Sequence, residues 1–155
     1  MTQSVQRSRL ARARLRARRR VERRRTLATV GVVAIGGAVG AVCRYLAGVA
    51  WPTGHGTFPV TTFGVNVVGC ALIGVFLVLV TDVWTPRPLL RPFLATGLLG
   101  GFTTFSTYAV DGHGLLTSGT PVLGLVYLVA TPVAALVAVW VAAAGTRWLV
   151  TRRLT

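Results

Sequence analysis

Four stretches of this chain carry no charged side chain at all: residues 26–43, 45–81, 92–110 and 112–146. Each is close to or longer than the roughly 18–20 residues that a helix needs to cross a bilayer. The run 45–81 is interrupted by "WPTGHGT", a turn signal between two spans. The pattern therefore predicts four membrane-spanning helices, at about 27–50, 60–80, 89–110 and 121–148. Short connections leave no room for a soluble domain. The expected fold is an all-α membrane protein: an Arg-rich tail over 1–26 without fixed structure, a four-helix unit over 27–150, and a short C-terminal tail over 151–155.

Charge orients this layout. All 17 basic residues are Arg, and eleven fall within residues 1–25 against the single acid Glu22. A solvated cytoplasmic tail touching anionic headgroups accounts for them. A nucleic-acid arm is disfavoured because no folded module follows the tail. A cleaved export signal is disfavoured because three further spans follow. Arg87 and Arg91 lie between spans two and three, and Arg147, Arg152 and Arg153 follow span four; the other two loops hold no Arg. Every loop thus agrees on cytoplasmic N- and C-termini. Cys43 and Cys70 fall in different spans with no metal spacing, and His55 and His113 are expected in loops. No catalytic triad, carboxylate pair or phosphate loop is present, so no enzyme is expected.

Polar residues inside the spans carry the functional signal. In span one, Gly36, Gly40, Arg44 and Gly48 form a four-spaced row suited to close helix approach. Arg44 either serves a function or snorkels to the interface. In span two, Asn66 either glues the bundle by an interhelical hydrogen bond or turns an N–H donor to a water-filled path. In span four, Tyr127 and Thr131 share a face ahead of Pro132, which removes a backbone hydrogen bond; Thr131 can instead satisfy its own i−4 carbonyl.

Span three is the least ordinary. "GGFTTFS" (100–106) puts two glycines and β-branched Thr103 and Thr104 in mid-span. Broken backbone at membrane depth is tolerated only where it is buried in protein or lines a cavity. A break frees carbonyls able to hold a small cation and N–H groups that favour an anion. Beyond it, Phe105 and Tyr108 share a face, with Ser106 and Thr107 beside them. Ring edges, hydroxyls and an amide form a donor set without a fixed positive charge, which suits weak, multiple contacts with a strongly hydrated anion.

The stretches "GGAVGAVCRY" (36–45), "GTFPVTTFGVNVVG" (56–69), "GLLGGFTTFSTYAVD" (97–111) and "YLVAT" (127–131) closely resemble the bacterial Fluc/CrcB fluoride channels, in all four spans and in the family's order. The resemblance implies a dimer of four-helix subunits inserted in opposite orientations, with the third helix broken at mid-membrane and two fluoride pores. It assigns Asn66, Phe105, Ser106, Thr107, Tyr108, Tyr127 and Thr131 to the fluoride path and Arg44 to its vestibule. Tyr108 stands where the family usually has a second phenylalanine, and Asp111 where an acid commonly follows. The carbonyls of Gly100 and Thr103 would surround a structural sodium ion at the dimer centre. The implied function is passive fluoride export across the bacterial plasma membrane. The alternative, a proton-coupled multidrug-type antiporter of four helices, needs a titratable acid in the membrane; Glu22, Asp82 and Asp111 all lie outside the spans or at their ends. The strong charge bias opposes dual insertion, so the expected partner is a homologous subunit of opposite orientation rather than a second copy.

Overall fold

A computed structural model describes residues 2–83 and 88–154. Arg87, part of the charge argument above, lies outside the described residues, as do Met1 and Thr155. Helix α1 spans Thr2–Ala50 and α2 spans Val60–Val78, continuing as π-helical Leu79–Val83. A second π-helical segment, Pro92–Leu99, leads into the short α3 (Gly100–Phe102). The helix then breaks and resumes as α4 (Ser106–Thr117), and α5 spans Pro121–Leu154. Among the described residues there is no strand.

Among the described residues three helical stretches are long and apolar enough to cross a membrane: Arg18–Ala50, Val60–Val83 and Pro121–Arg152. The third span of the sequence reading occurs as two pieces on either side of the break, neither long enough by itself. Proline sets several starts. Pro92 and Pro121 open their helices, where a missing N–H costs nothing. Gly56 (φ +70°) and Gly119 (φ +84°) supply the left-handed turns before α2 and before α5.

Element ends differ from expectation in three places. Helix α1 runs back to Thr2 through the Arg-rich stretch, where Ala and Arg are both strong helix formers. Helix α4 runs on through Asp111 to Thr117, so His113 is helical and the loop before α5 shrinks to 118–120. Helix α5 continues to Leu154.

Glycine notches decide the packing. A Cβ on Gly36 would sit 2.6 Å from the Phe93 carbonyl oxygen, and one on Gly97 2.8 Å from that of Val33. Gly40 and Gly101 repeat this one turn on, against Leu98 and Gly37. Two small-xxx-small rows thus face each other, and α1 runs parallel to the first half of the broken helix. Gly74 admits the α5 backbone at Val139, and with Phe58 beside Tyr127 and Asp82 beside Arg147 the helices α2 and α5 run parallel. Gly112 receives Leu128, and Gly124 approaches Leu116, so α4 lies antiparallel to α5.

This order puts the starts of α1 and the broken helix at the same end as the finishes of α2 and α5. There Arg147 pairs with Asp82 at 3.5 Å, and Arg152 stacks on Trp148 at 3.9 Å. At the opposite end Thr61 donates to the Trp51 carbonyl. The buried apolar core is small, centred on Val65, Val78, Leu99, Leu115 and Tyr127. Many large apolar side chains of α1 and α5 face outward instead, as lipid or a partner chain would require.

Candidate functional site

The break is held open by side chains. In a continuous helix the N–H of Thr104 would return to the Gly100 carbonyl, and that of Thr107 to Thr103. Here the Thr104 N–H donates to Asn66 Oδ1 at 2.8 Å, while Asn66 Nδ2 donates to the Thr104 carbonyl at 3.0 Å. Donor and acceptor at Thr104 fix which way the amide of Asn66 points. The Thr107 N–H donates to Thr104 Oγ1 at 3.1 Å, a capping bond for the start of α4. Thr103, extended at ψ 156°, ends the first half; its hydroxyl and N–H both donate to the Leu99 carbonyl. The carbonyls of Gly100 and Thr103 are left without their helical donors.

Arg44 serves the same break from α1. Its Nε donates to the Gly101 carbonyl at 3.3 Å. That carbonyl belongs to the last turn before the break, where unpaired acceptors and the negative end of the helix dipole favour a cation. Arg44, half-buried, is thereby tied through its Nε to the turn before the break. Of the four-spaced row, Gly36, Gly40 and Arg44 meet the broken helix, whereas Gly48 faces open space.

Beyond the break lies a row of rings. Phe105 and Tyr108 are 5.5 Å apart between centroids, Tyr108 and Tyr127 5.4 Å, and Tyr127 and Phe58 5.3 Å with the rings nearly perpendicular. Phe63 continues it, 5.5 Å from Phe58. The row begins exposed at Phe105 (79% exposed), is fully buried at Tyr127 in its middle, and ends half-buried at Phe58 and Phe63. Hydroxyls flank it. Thr104 Oγ1 lies 3.3 Å from Ser106 Oγ and donates to Thr107 Oγ1 at 3.1 Å. The Tyr108 hydroxyl donates to the Leu128 carbonyl at 2.6 Å. Thr131, buried, donates to the Tyr127 carbonyl at 2.8 Å. The Tyr127 hydroxyl is buried with no partner among the described residues, although Thr62, Thr131 and Asp111 surround it.

The sequence-derived residues thus divide. Asn66, Ser106 and Thr107 meet at the break around Thr104, and Phe105, Tyr108 and Tyr127 form the row. Thr131 spends its hydroxyl inside α5. Asn66 makes the interhelical bonds of its first reading and keeps one Nδ2 hydrogen beyond them. Sequence reasoning missed Thr104 as the capping residue, Phe58 as the next ring, and Thr62. The last donates to Asp111 Oδ2 at 2.6 Å and so holds the acid that stands beside the row. Thr62 stands one turn before Asn66 on α2, a spacing that could have revealed it. Among the described residues no cluster of His, Cys, Asp and Glu could hold a metal ion.

The model of the CrcB-like protein, Camphor Resistance (CrcB) family matches residues 31–143. The chain is 60% identical over 118 residues to Fluoride-specific ion channel FluC 1 of Streptomyces coelicolor, covering 76% of this chain and 77% of that protein. It is 57% identical over 115 residues to FluC 2 of Streptomyces avermitilis, covering 74% of this chain and 73% of that protein. With FluC 2 of Nocardia farcinica it shares 50% identity over 116 residues, 75% of this chain and 83% of the relative. The matched region holds the glycine notches, the break and the row of rings, and the chain belongs to the CrcB-like family.

Proposed function

We propose that this protein is a fluoride-specific ion channel that lowers cytoplasmic fluoride by passive export. The observation that carries the reading is the helix break clamped by Asn66, opening onto the row Phe105–Tyr108–Tyr127, in a chain 60% identical to a protein named as a fluoride-specific channel. Fluoride enters cells as the weak acid HF and dissociates inside, so an outward leak of the ion alone lowers its internal level. Stripping fluoride of its water is costly, and a string of neutral donors replaces that shell without trapping the ion. Ring edges of Phe105 and Tyr108, the hydroxyls of Ser106 and Thr107, and the remaining Nδ2 hydrogen of Asn66 are such donors.

In this reading four spans cross the plasma membrane, with the two halves of the broken helix counting as one and both termini in the cytoplasm. The exposure of Phe105 and Ser106 argues that another wall is needed to enclose the path, and an oppositely oriented homologous subunit supplies it. Streptomyces avermitilis carries proteins named FluC 2 and FluC 3, so one organism holds more than one relative. The carbonyls of Gly100 and Thr103, deprived of helical donors, fit a hard monovalent cation, and a sodium ion there would neutralise oxygens facing one another at a dimer centre. Co-expression of this chain with a homologous partner in a fluoride-sensitive bacterium tests the function. Restored growth in fluoride medium is expected; continued sensitivity despite membrane insertion of both chains contradicts it.

A further inference from the structure

Tyr108 departs from the phenylalanine that the family resemblance leads one to expect, and α5 carries an internal proline at 132. The structure joins these two facts. Pro132 has no N–H, so the carbonyl four residues earlier, that of Leu128, has no helical donor. The phenol of Tyr108 donates to that same carbonyl at 2.6 Å. Leu128 is gripped a second time by α4, because its side chain fills the notch at Gly112, one turn beyond Tyr108. A phenol has a single O–H, and here it is committed to the backbone.

We infer that Tyr108 is a positioning residue whose hydroxyl latches α4 to the carbonyl freed by Pro132, so that Tyr108 offers a passing anion its ring edge and not its hydroxyl. The inference rests on the fluoride-channel reading for its consequence and on geometry alone for the latch. The latched ring stands between Phe105 at 5.5 Å and Tyr127 at 5.4 Å and fixes the spacing of both. Tyr108 and Pro132 are therefore a coupled pair: the tyrosine is needed because the proline is there. Phenylalanine at 108 is harmful in this chain, since it leaves the Leu128 carbonyl without a donor.

Four proteins test this: wild type, Y108F, P132A and Y108F/P132A, each reconstituted with its partner subunit. Two quantities are measured, thermal stability of the assembled protein and single-channel fluoride conductance, the latter independent of how much protein folds. Y108F should lower the melting temperature by the loss of one hydrogen bond to a part-buried carbonyl, and reduce conductance about fivefold or more through the displaced ring. In the P132A background the new alanine supplies the N–H that the Leu128 carbonyl lacked, and adding Y108F should change either quantity by less than about twofold in its equilibrium or rate. An equal effect of Y108F in both backgrounds overturns the latch and returns the hydroxyl to the ion. Coupling in stability with no change in conductance overturns the positioning role. A wild type that folds, inserts and passes no fluoride instead defeats the channel reading, while the stability cycle still decides the latch.

Discussion

At the scale of single residues, the site is built from groups that do two things at once. Asn66 holds both the N–H and the C=O of Thr104, so its amide is the clamp on the break as well as a donor beside it. Asn66→Ala leaves both part-buried backbone groups of Thr104 unpaired, at up to about 1–3 kcal/mol each. Fluoride flux should fall at least about tenfold, and melting in detergent should show the lost stability. Phe105 differs. It is 79% exposed in the single chain and adds little to the packing there. Phe105→Ile should leave membrane insertion and melting unchanged, yet lower flux about tenfold, the scale of one lost ion contact of ~1.5 kcal/mol. Loss of both stability and flux at Phe105, or of neither, contradicts this division of labour. The distinction was not legible in sequence. "GVNVV" shows an amide in an apolar span, but not that its partner is a backbone 38 residues away. Equally, the hydroxyl of Tyr108 is visible in the sequence while its acceptor is not.

At the scale of elements, glycine placement governs how the broken helix is carried. Gly97 and Gly36 approach so closely that a Cβ on Gly97 would lie 2.8 Å from the Val33 carbonyl oxygen and 3.1 Å from Gly36 Cα. Gly97→Ala should therefore cost about 1–3 kcal/mol through overpacking. Gly31→Ala on the same α1 helix meets nothing within 4 Å and should be neutral or slightly stabilising, through helix propensity. Thermal unfolding of the two variants side by side measures the difference; equal melting temperatures contradict the notch. This layer was largely readable in advance. The four-spaced row Gly36–Gly40–Arg44 and the "GG" before Thr103 announced close approach and a break, because two small residues four apart let a neighbouring backbone come near, although Gly48 in the same row meets nothing. Helix ends were less readable. Asp111, Gly112, His113 and Gly114 looked like a loop, but Thr62 holds Asp111 at 2.6 Å and Gly112 seats Leu128, so packing carries α4 on to Thr117. The break itself needed tertiary partners: "GGFTT" weakens a helix, and Asn66 and Arg44 decide where it opens.

At the scale of the whole molecule, the apolar exterior and the one-sided arginine distribution act together. The starts of α1 and of the broken helix and the finishes of α2 and α5 share one end, and there Arg147 meets Asp82. Such bias should insert the chain in one orientation, so labels on its termini should be reachable from the cytoplasmic side alone. Equal labelling from both sides contradicts a requirement for an oppositely oriented partner. If the Gly100 and Thr103 carbonyls share a sodium ion with that partner, exchanging sodium for a large organic cation should weaken the assembled dimer, seen as monomer on size-exclusion chromatography; indifference to complete sodium removal contradicts the site. The most direct measurement is fluoride release, followed by electrode, from liposomes loaded with fluoride or chloride and containing this chain together with a homologous subunit. Rapid release of fluoride with chloride retained is the expected result. Retention of fluoride by vesicles that demonstrably hold both folded chains would contradict the account.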